Sequence, residues 1–189
     1  MSKAESALAV AQTGLAAHVF PRPNTALARI IGDPVSRAAF HQRLQLSNRF
    51  VVAFYRIGLL PLLGAGKTTM LLITLGRKSG RIRRFPIGYC RIGGDVYVIS
   101  GWGKGSNWYK NLQANPDAVS LQIGFRTFPV YAQVLKDRGE IRSTIERLIR
   151  ESPASAQRLF GWDPESDQLS SADFSTLLEK VLFVRFLNR

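Results

Sequence analysis

The chain has 189 residues, of which 46% are hydrophobic, 10% aromatic and 21% charged. That composition excludes a wholly disordered or collagen-like protein and suffices for one domain with its own core. The formal charge of +13 is unevenly spread: residues 35–94 carry eleven Arg and Lys and no Asp or Glu, whereas Asp137–Arg189 holds nine acids against eight bases. Such a field attracts phosphate, polycarboxylate, nucleic acid or an acidic membrane.

The first 33 residues are Ala-rich and then interrupted by Pro21, Pro23 and Gly32. They predict a loose helix near Ala4–His18, and Asp33-Pro34 is a helix-start signal. Over Leu46–Leu59, the residues Leu46, Phe50, Ala53, Phe54 and Ile57 share one face at helical spacing, with Arg49 and Arg56 on another. Such an amphipathic helix either packs on a core, here by covering one opening of a barrel, or lies on a membrane surface; core packing is the commoner use.

From Met70 the period changes to that of strands. Met70–Leu75 is a short apolar run, and Arg81–Arg91 is strand-like with Pro86 marking an edge or bulge. Gly93-Gly94-Asp95 is a hairpin turn leading into Val96–Ser100. Asn107–Ala114 reads as a short helix stopped by Asn115-Pro116. Val119–Ile123 and Phe128–Val134 alternate apolar and polar residues around Gly124. Helix returns with the stripe Ile141, Ile145, Leu148 and Ile149, where Glu146 can pair with Arg150. Pro153–Phe160 and Ser171–Lys180 are expected to be helical, and Val181–Leu187 to be a closing strand. About six strands with few long crossovers imply a β-rich α+β fold, an antiparallel barrel-like sheet flanked by helices.

Several chemistries find no support. Cys90 is the sole cysteine and His18 and His41 the sole histidines. That excludes an internal disulfide and leaves no Cys/His cluster for a metal. No Ser/His/Asp set and no close carboxylate pair stands in the strand region, so no catalytic side chain is assigned and a bound cofactor is expected to supply the chemistry. Gly64-Ala65-Gly66-Lys67-Thr68 lacks the first glycine of a phosphate loop, Pro61 standing in its place, and its flanking elements are reversed. No apolar run reaches the length of a membrane span, and residues 1–20 make a poor signal peptide, which implies a cytoplasmic protein.

Two loops remain as candidate sites. Gly76-Arg77-Lys78-Ser79-Gly80 joins two strands with glycines that free the backbone and with cations that can cradle a small anion. A nucleic-acid patch continuing through Arg81, Arg83 and Arg84, or a solvated turn, fits the same residues. Ser100-Gly101-Trp102-Gly103-Lys104-Gly105 suits close approach to a flat ligand, or else a flexible loop with a packed tryptophan.

The ordered set Leu71–Gly80 (LLITLGRKSG), Pro86, Gly93-Gly94, Val98–Gly103 (VISGWG) and Trp108–Pro116 (WYKNLQANP) resembles the deazaflavin-dependent nitroreductase and quinone reductase family, split β-barrel proteins that use coenzyme F420. The resemblance covers about Met70–Leu135. It implies an N-terminal helical extension over residues 1–45 and a deazaflavin-binding split barrel over 46–189. The cofactor's phosphodiester and polyglutamate tail then fall to Arg77, Lys78, Ser79 and Arg83. Its ring falls to Ser100, Gly101, Trp102, Gly103 and Lys104, with Trp108 and Asn111 from the following helix. The sequence departs from the family where Gly88 and Phe174 stand in place of tyrosines of the quinone-reducing members. The implied activity is hydride transfer from the reduced deazaflavin to a quinone, enone or nitroaromatic acceptor. FMN in the same barrel is the alternative cofactor, and a non-enzymatic basic nucleic-acid module a remoter alternative. No nucleic acid is expected as a partner. Peripheral membrane contact and a homodimer are both compatible with the sequence.

Overall fold

The computed structural model describes residues 18–32 and 50–189. Strand β1 (His18–Val19) and helix α1 (Ala26–Ile31) come first, followed by α2 (residues 50–56) and α3 (Leu59–Leu62). Strands β2 (Thr69–Leu75), β3 (Ile82–Gly88), β4 (Cys90–Ile92) and β5 (Asp95–Ser100) lead into α4 (Asn107–Ala114). Then come β6 (Val119–Ile123), β7 (Arg126–Val134), α5 (Arg138–Glu151), α6 (Pro153–Phe160), β8 (Ala172–Asp173), α7 (Ser175–Lys180) and β9 (Leu182–Asn188). The helix expected over Ala4–His18 lies outside the described residues except for His18, which is in a strand instead. The Asp33-Pro34 start, Leu46 and Arg49 also lie outside them.

Seven strands form one antiparallel sheet in the order β3-β2-β6-β7-β9-β5-β4. Its two edge strands, β3 and β4, are consecutive in sequence and separated only by Tyr89. A chain advances at most about 3.6 Å per residue. The two edges therefore meet at Tyr89, and the sheet curls on itself. The single strand expected over Arg81–Arg91 is in fact two, because Tyr89 leaves the pairing. Its N–H donates to the Thr68 carbonyl at 3.1 Å and its hydroxyl to the Gly66 carbonyl at 2.6 Å, while Cys90 begins a new ladder opposite Tyr97. Pro86 sits on edge strand β3, where a missing N–H costs least. The β4–β5 hairpin turns through Gly93 and Gly94, both at positive φ, as a two-residue turn requires.

Alternation along the strands divides two cores. Val96 and Val98 of β5 and Leu182, Val184 and Phe186 of β9 face into the barrel with Met70, Leu72, Val119 and Leu121. Tyr97 and Ile99 of β5 and Phe183 of β9 face outward onto α5–α7. Ile141, Ile145, Leu148 and Ile149 of α5 form the expected stripe against that outer face. Glu146, however, pairs back with Arg142 at 3.0 Å rather than forward with Arg150. Trp108, Tyr109 and Leu112 of α4 join the barrel core and close one end.

Residues 172–174 are not helical as expected: a 3-10 turn over Leu169–Ser171 ends before them, β8 pairs in parallel with β1, and the α-helix starts only at Ser175. That pairing seats Phe20 among Phe160, Trp162 and Phe174, with ring centroids 5.5–5.8 Å from it. Each such fully buried ring contributes on the order of 1.5–3 kcal/mol. Phe174 is thus a core residue.

The core-packing expectation for the amphipathic helix is not met. Phe50, Phe54 and Ile57 are exposed, and Tyr55 is the residue of α2 that is fully buried.

Candidate functional site

The Gly76–Gly80 turn joins β2 to β3. The Gly76 N–H donates to the Arg81 carbonyl at 2.9 Å, and the Gly80 N–H to the Gly76 carbonyl at 2.8 Å. Gly76 is required by space: a Cβ there would lie 2.9 Å from Ser79 Oγ and 3.2 Å from the Arg81 carbonyl oxygen. Gly80 adopts positive φ.

Helix α4 grips this turn with one face. Asn111 Oδ1 accepts from the Arg77 backbone N–H at 3.3 Å and from its Nη1 at 3.1 Å. Asn107 Oδ1, one helical turn earlier, accepts from Nη1 and Nη2 at 3.4 Å. Asn115 Nδ2, a further turn on, donates to the Leu75 carbonyl at 3.3 Å. The guanidinium is therefore held by neutral amides, which orient it without cancelling its charge. Asn107 and Asn115 were not singled out from the sequence. Their signal is the Asn107, Asn111, Asn115 repeat at four-residue spacing, which lines one helix face.

Ser79 is used as an acceptor on two sides. Its Oγ accepts from the Arg81 N–H and from Arg83 Nη2, both at 3.4 Å. A hydroxyl so occupied keeps its own O–H to donate, and Ser79 is exposed. Lys78 is exposed at the tip of the turn. By strand alternation Arg83 shares its face with Phe85 and Ile87, which pack on the barrel core, so it stands at the barrel's rim. Among the described residues no carboxylate pairs with Arg77, Lys78, Arg81, Arg83 or Arg84. The five cations therefore present an unneutralised surface.

The second loop runs from the end of β5 into Asn107, so both loops converge on the first turn of α4. Its residues divide by role. Ser100 and Gly101 are buried. A Cβ on Gly101 would lie 3.0 Å from Ile30 Cγ2 and 3.3 Å from Ile31 Cγ1, so this glycine makes room for α1 rather than for a ligand. A Cβ on Gly103 or Gly105 would meet nothing within 4 Å, and Lys104 is exposed beside them. Trp102 is half-buried. Trp108 packs edge-to-face on Tyr109 in the barrel core, with centroids 6.0 Å apart.

The structure thus joins Arg77 to Asn111 and Arg83 to Ser79 on the same turn, with Lys78 at its tip. It leaves Gly103, Lys104 and Gly105 open next to the same helix end. It places Gly101 and Trp108 in packing roles and Asn111 behind Arg77.

Residues 49–162 match the family model described as F420H2-dependent quinone reductase. The chain belongs to that family. Among curated proteins it is 31% identical over 91 residues to an F420H2-dependent quinone reductase of Mycobacterium tuberculosis strain H37Rv and, equally, to a protein of Mycobacterium bovis named as a quinone reductase of the same kind. Each match spans 46% of this chain and 60% of the relative's length. Among solved structures the chain is similar to an F420H2-dependent reductase at 25% identity, over 63% of this chain and 94% of that one, with a TM-score of 0.40. It also resembles a conserved hypothetical protein of Mycobacterium tuberculosis at 15% identity, over 69% and 78% of the two chains, with a TM-score of 0.43.

Proposed function

We propose that this member of the F420H2-dependent quinone reductase family binds reduced coenzyme F420 and acts as an oxidoreductase toward a quinone. The observation that carries the reading is the Arg77–Asn111 clamp, which holds a basic turn in a fixed shape with its charge unspent. Fit to the cofactor can be judged from the donor set. A phosphodiester accepts hydrogen bonds and carries negative charge; the turn offers the Lys78 ammonium, the Ser79 hydroxyl and the Arg83 guanidinium together. A polyglutamate tail needs further cations: Arg81, just before β3, follows the alternation of Arg83, while Arg84 stands on the opposite face of that strand. Beside Gly103 and Gly105 the backbone is free of side chains, which suits a planar ring. The residues present fit the group.

When bound, the reduced deazaflavin supplies the hydride. The chain's own part is to bind and orient. Lys78, Ser79 and Arg83 fix the anionic end, and the rigid β2–β3 hairpin sets its distance from the α4 end. Trp102 and the Gly103–Gly105 backbone bound the ring side. No side chain in this group is placed as a general base, and orientation is the larger contribution expected of the protein.

Titration of purified protein with F420 and with FMN in the same buffer tests the reading. The expected result is tighter binding of F420, because Arg81, a cation beyond those needed for one phosphate group, has a use only for a long anionic tail. A clear preference for FMN would favour the alternative cofactor and sink this proposal.

A further inference from the structure

We propose that the end of the barrel built by residues 50–63 and Phe125 docks on an anionic lipid bilayer. The proposal rests on this surface alone and stands whether or not the cofactor reading holds.

Helix α2 is packed the opposite way from its hydropathy. Its fully buried residue is Tyr55, whose hydroxyl donates to the Thr69 carbonyl at 3.1 Å and accepts from the Gly124 N–H at 2.9 Å. Phe50 and Phe54 are left 65% and 43% exposed, and Ile57, which follows the helix, 74%. Gly58, at positive φ, reverses the chain into α3, where Leu62 and Leu63 are 75% and 73% exposed. Phe125, at the tip of the β6–β7 hairpin, is 70% exposed. It lies against the same segment: a Cβ on Gly58 would be 2.9 Å from Phe125 Cε1, and one on Gly66 would be 3.1 Å from the Gly124 N. Phe50, Phe54 and Ile57 follow one another at helical spacing, and Phe125 lies against Gly58 at their end, so exposed apolar side chains gather at this end of the barrel. Soluble proteins scatter such residues singly; a contiguous group marks a contact surface.

Charge selects the occupant. Arg56, Lys67 and Arg126 are exposed and flank the apolar residues in sequence. Among the described residues none of the three is in an ion pair. Residues 50–94 and 118–136, which include the residues of this face, contain no Asp or Glu. Large aliphatic and phenyl groups flanked along the chain by exposed cations, with no acid among them, match the acyl boundary and phosphate layer of an anionic membrane. No helix among the described residues is long and apolar enough to cross a bilayer, so the contact is one of lying on the surface.

The test is co-sedimentation of the full chain with phosphatidylcholine vesicles, with and without phosphatidylglycerol. Binding is expected to the anionic vesicles at low salt, to weaken as salt rises, and to fall about fivefold for each cation reversed, as in Arg126→Glu. Phe54→Ser combined with Leu62→Ser is expected to lower binding at least about tenfold. The melting temperature should stay near wild type, because both side chains are exposed. Wild-type protein that stays in the supernatant with anionic vesicles at low salt overturns the proposal. If it then sediments as a dimer, the face belongs to a second copy; if it is monomeric, residues 1–17 or 33–49 are the candidates to cover it. Binding that survives the Phe54/Leu62 double substitution also overturns it, leaving only electrostatic adsorption.

Discussion

Asn111 Oδ1 accepts two hydrogen bonds from Arg77, one from the backbone N–H at 3.3 Å and one from the guanidinium at 3.1 Å. A buried helix residue thereby sets both the path of the β2–β3 turn and the direction of its first cation. Asn111→Ala removes the single acceptor of both bonds. The expected cost is about 1–3 kcal/mol of folding stability, read by denaturant titration. In a folded variant F420 affinity should fall as well, because Arg77 and the turn lose their support. Unchanged affinity would show that the turn holds its shape without α4.

Tyr55 links α2 to two strands through one hydroxyl. Tyr55→Phe keeps the ring and deletes only the oxygen, so the Gly124 N–H loses its acceptor. A loss of about 1–3 kcal/mol is expected, measured by chemical denaturation. Hydrogen exchange at Gly124 should rise in the same variant.

Cys90 is buried between β4 and the outer core, and burial pushes its thiol up to about 12, against a smaller lowering effect of Arg158. The thiolate is the reactive form. Native protein at pH 8 is therefore expected to resist a thiol reagent such as dithionitrobenzoate, with one equivalent reacting on denaturation. Rapid labelling of the folded chain would contradict the packing described for β4.

Glu151 caps the β4–β5 hairpin by accepting from the Gly93 N–H, which is the main cause holding its carboxyl below the ordinary range; Arg147 adds to it. Asp163 and Asp173 are lowered too, through hydrogen bonds from Ser166 and from the Ser175 N–H respectively. A carboxyl lowered in the folded state stabilises above its unfolded pKa of about 4 and loses that contribution as pH falls through the folded value. Stability is therefore expected to decline on acidification below about pH 4–5. The melting-temperature deficit of Glu151→Gln should be largest near neutrality and shrink toward acid; a deficit independent of pH would contradict this.

Much of the barrel was legible in the sequence. Leu121 and Ile123 alternating with Ser120 and Gln122, and the bounds of α4, follow directly from local period and stop signals. The split at Tyr89 was not legible, because Gly88, the last residue of β3, reads equally well as a glycine tolerated inside one strand. What ends β3 is a tyrosine hydroxyl seeking the Gly66 carbonyl across 23 residues of chain. The orientation of α2 was misjudged for a related reason. Hydropathy puts Phe50 and Phe54 inside, whereas the pocket at the β6–β7 turn offers a donor and carbonyls that only Tyr55 can satisfy. At the candidate site the basic turn was visible as GRKSG. Its support from Asn107 was not, since one asparagine at a helix start reads as an ordinary cap. Gly101 was legible as a close approach, but the group that approaches is α1.

Lys78 stands at the exposed tip of the turn, where its ammonium has no packing role, so Lys78→Ala isolates the binding contribution. F420 affinity is expected to drop by about 1–3 kcal/mol, the range for a charged hydrogen bond, and the drop should shrink at high salt because exposed charges are screened.

The most direct measurement is the protein-dependent oxidation of F420H2 by a soluble naphthoquinone, followed at varied cofactor concentration for wild type and Lys78→Ala. The account predicts oxidation that saturates in F420H2, with Lys78→Ala raising KM for the cofactor about tenfold or more and leaving kcat close to wild type. No oxidation above the protein-free rate, or the same KM in both proteins, would contradict it.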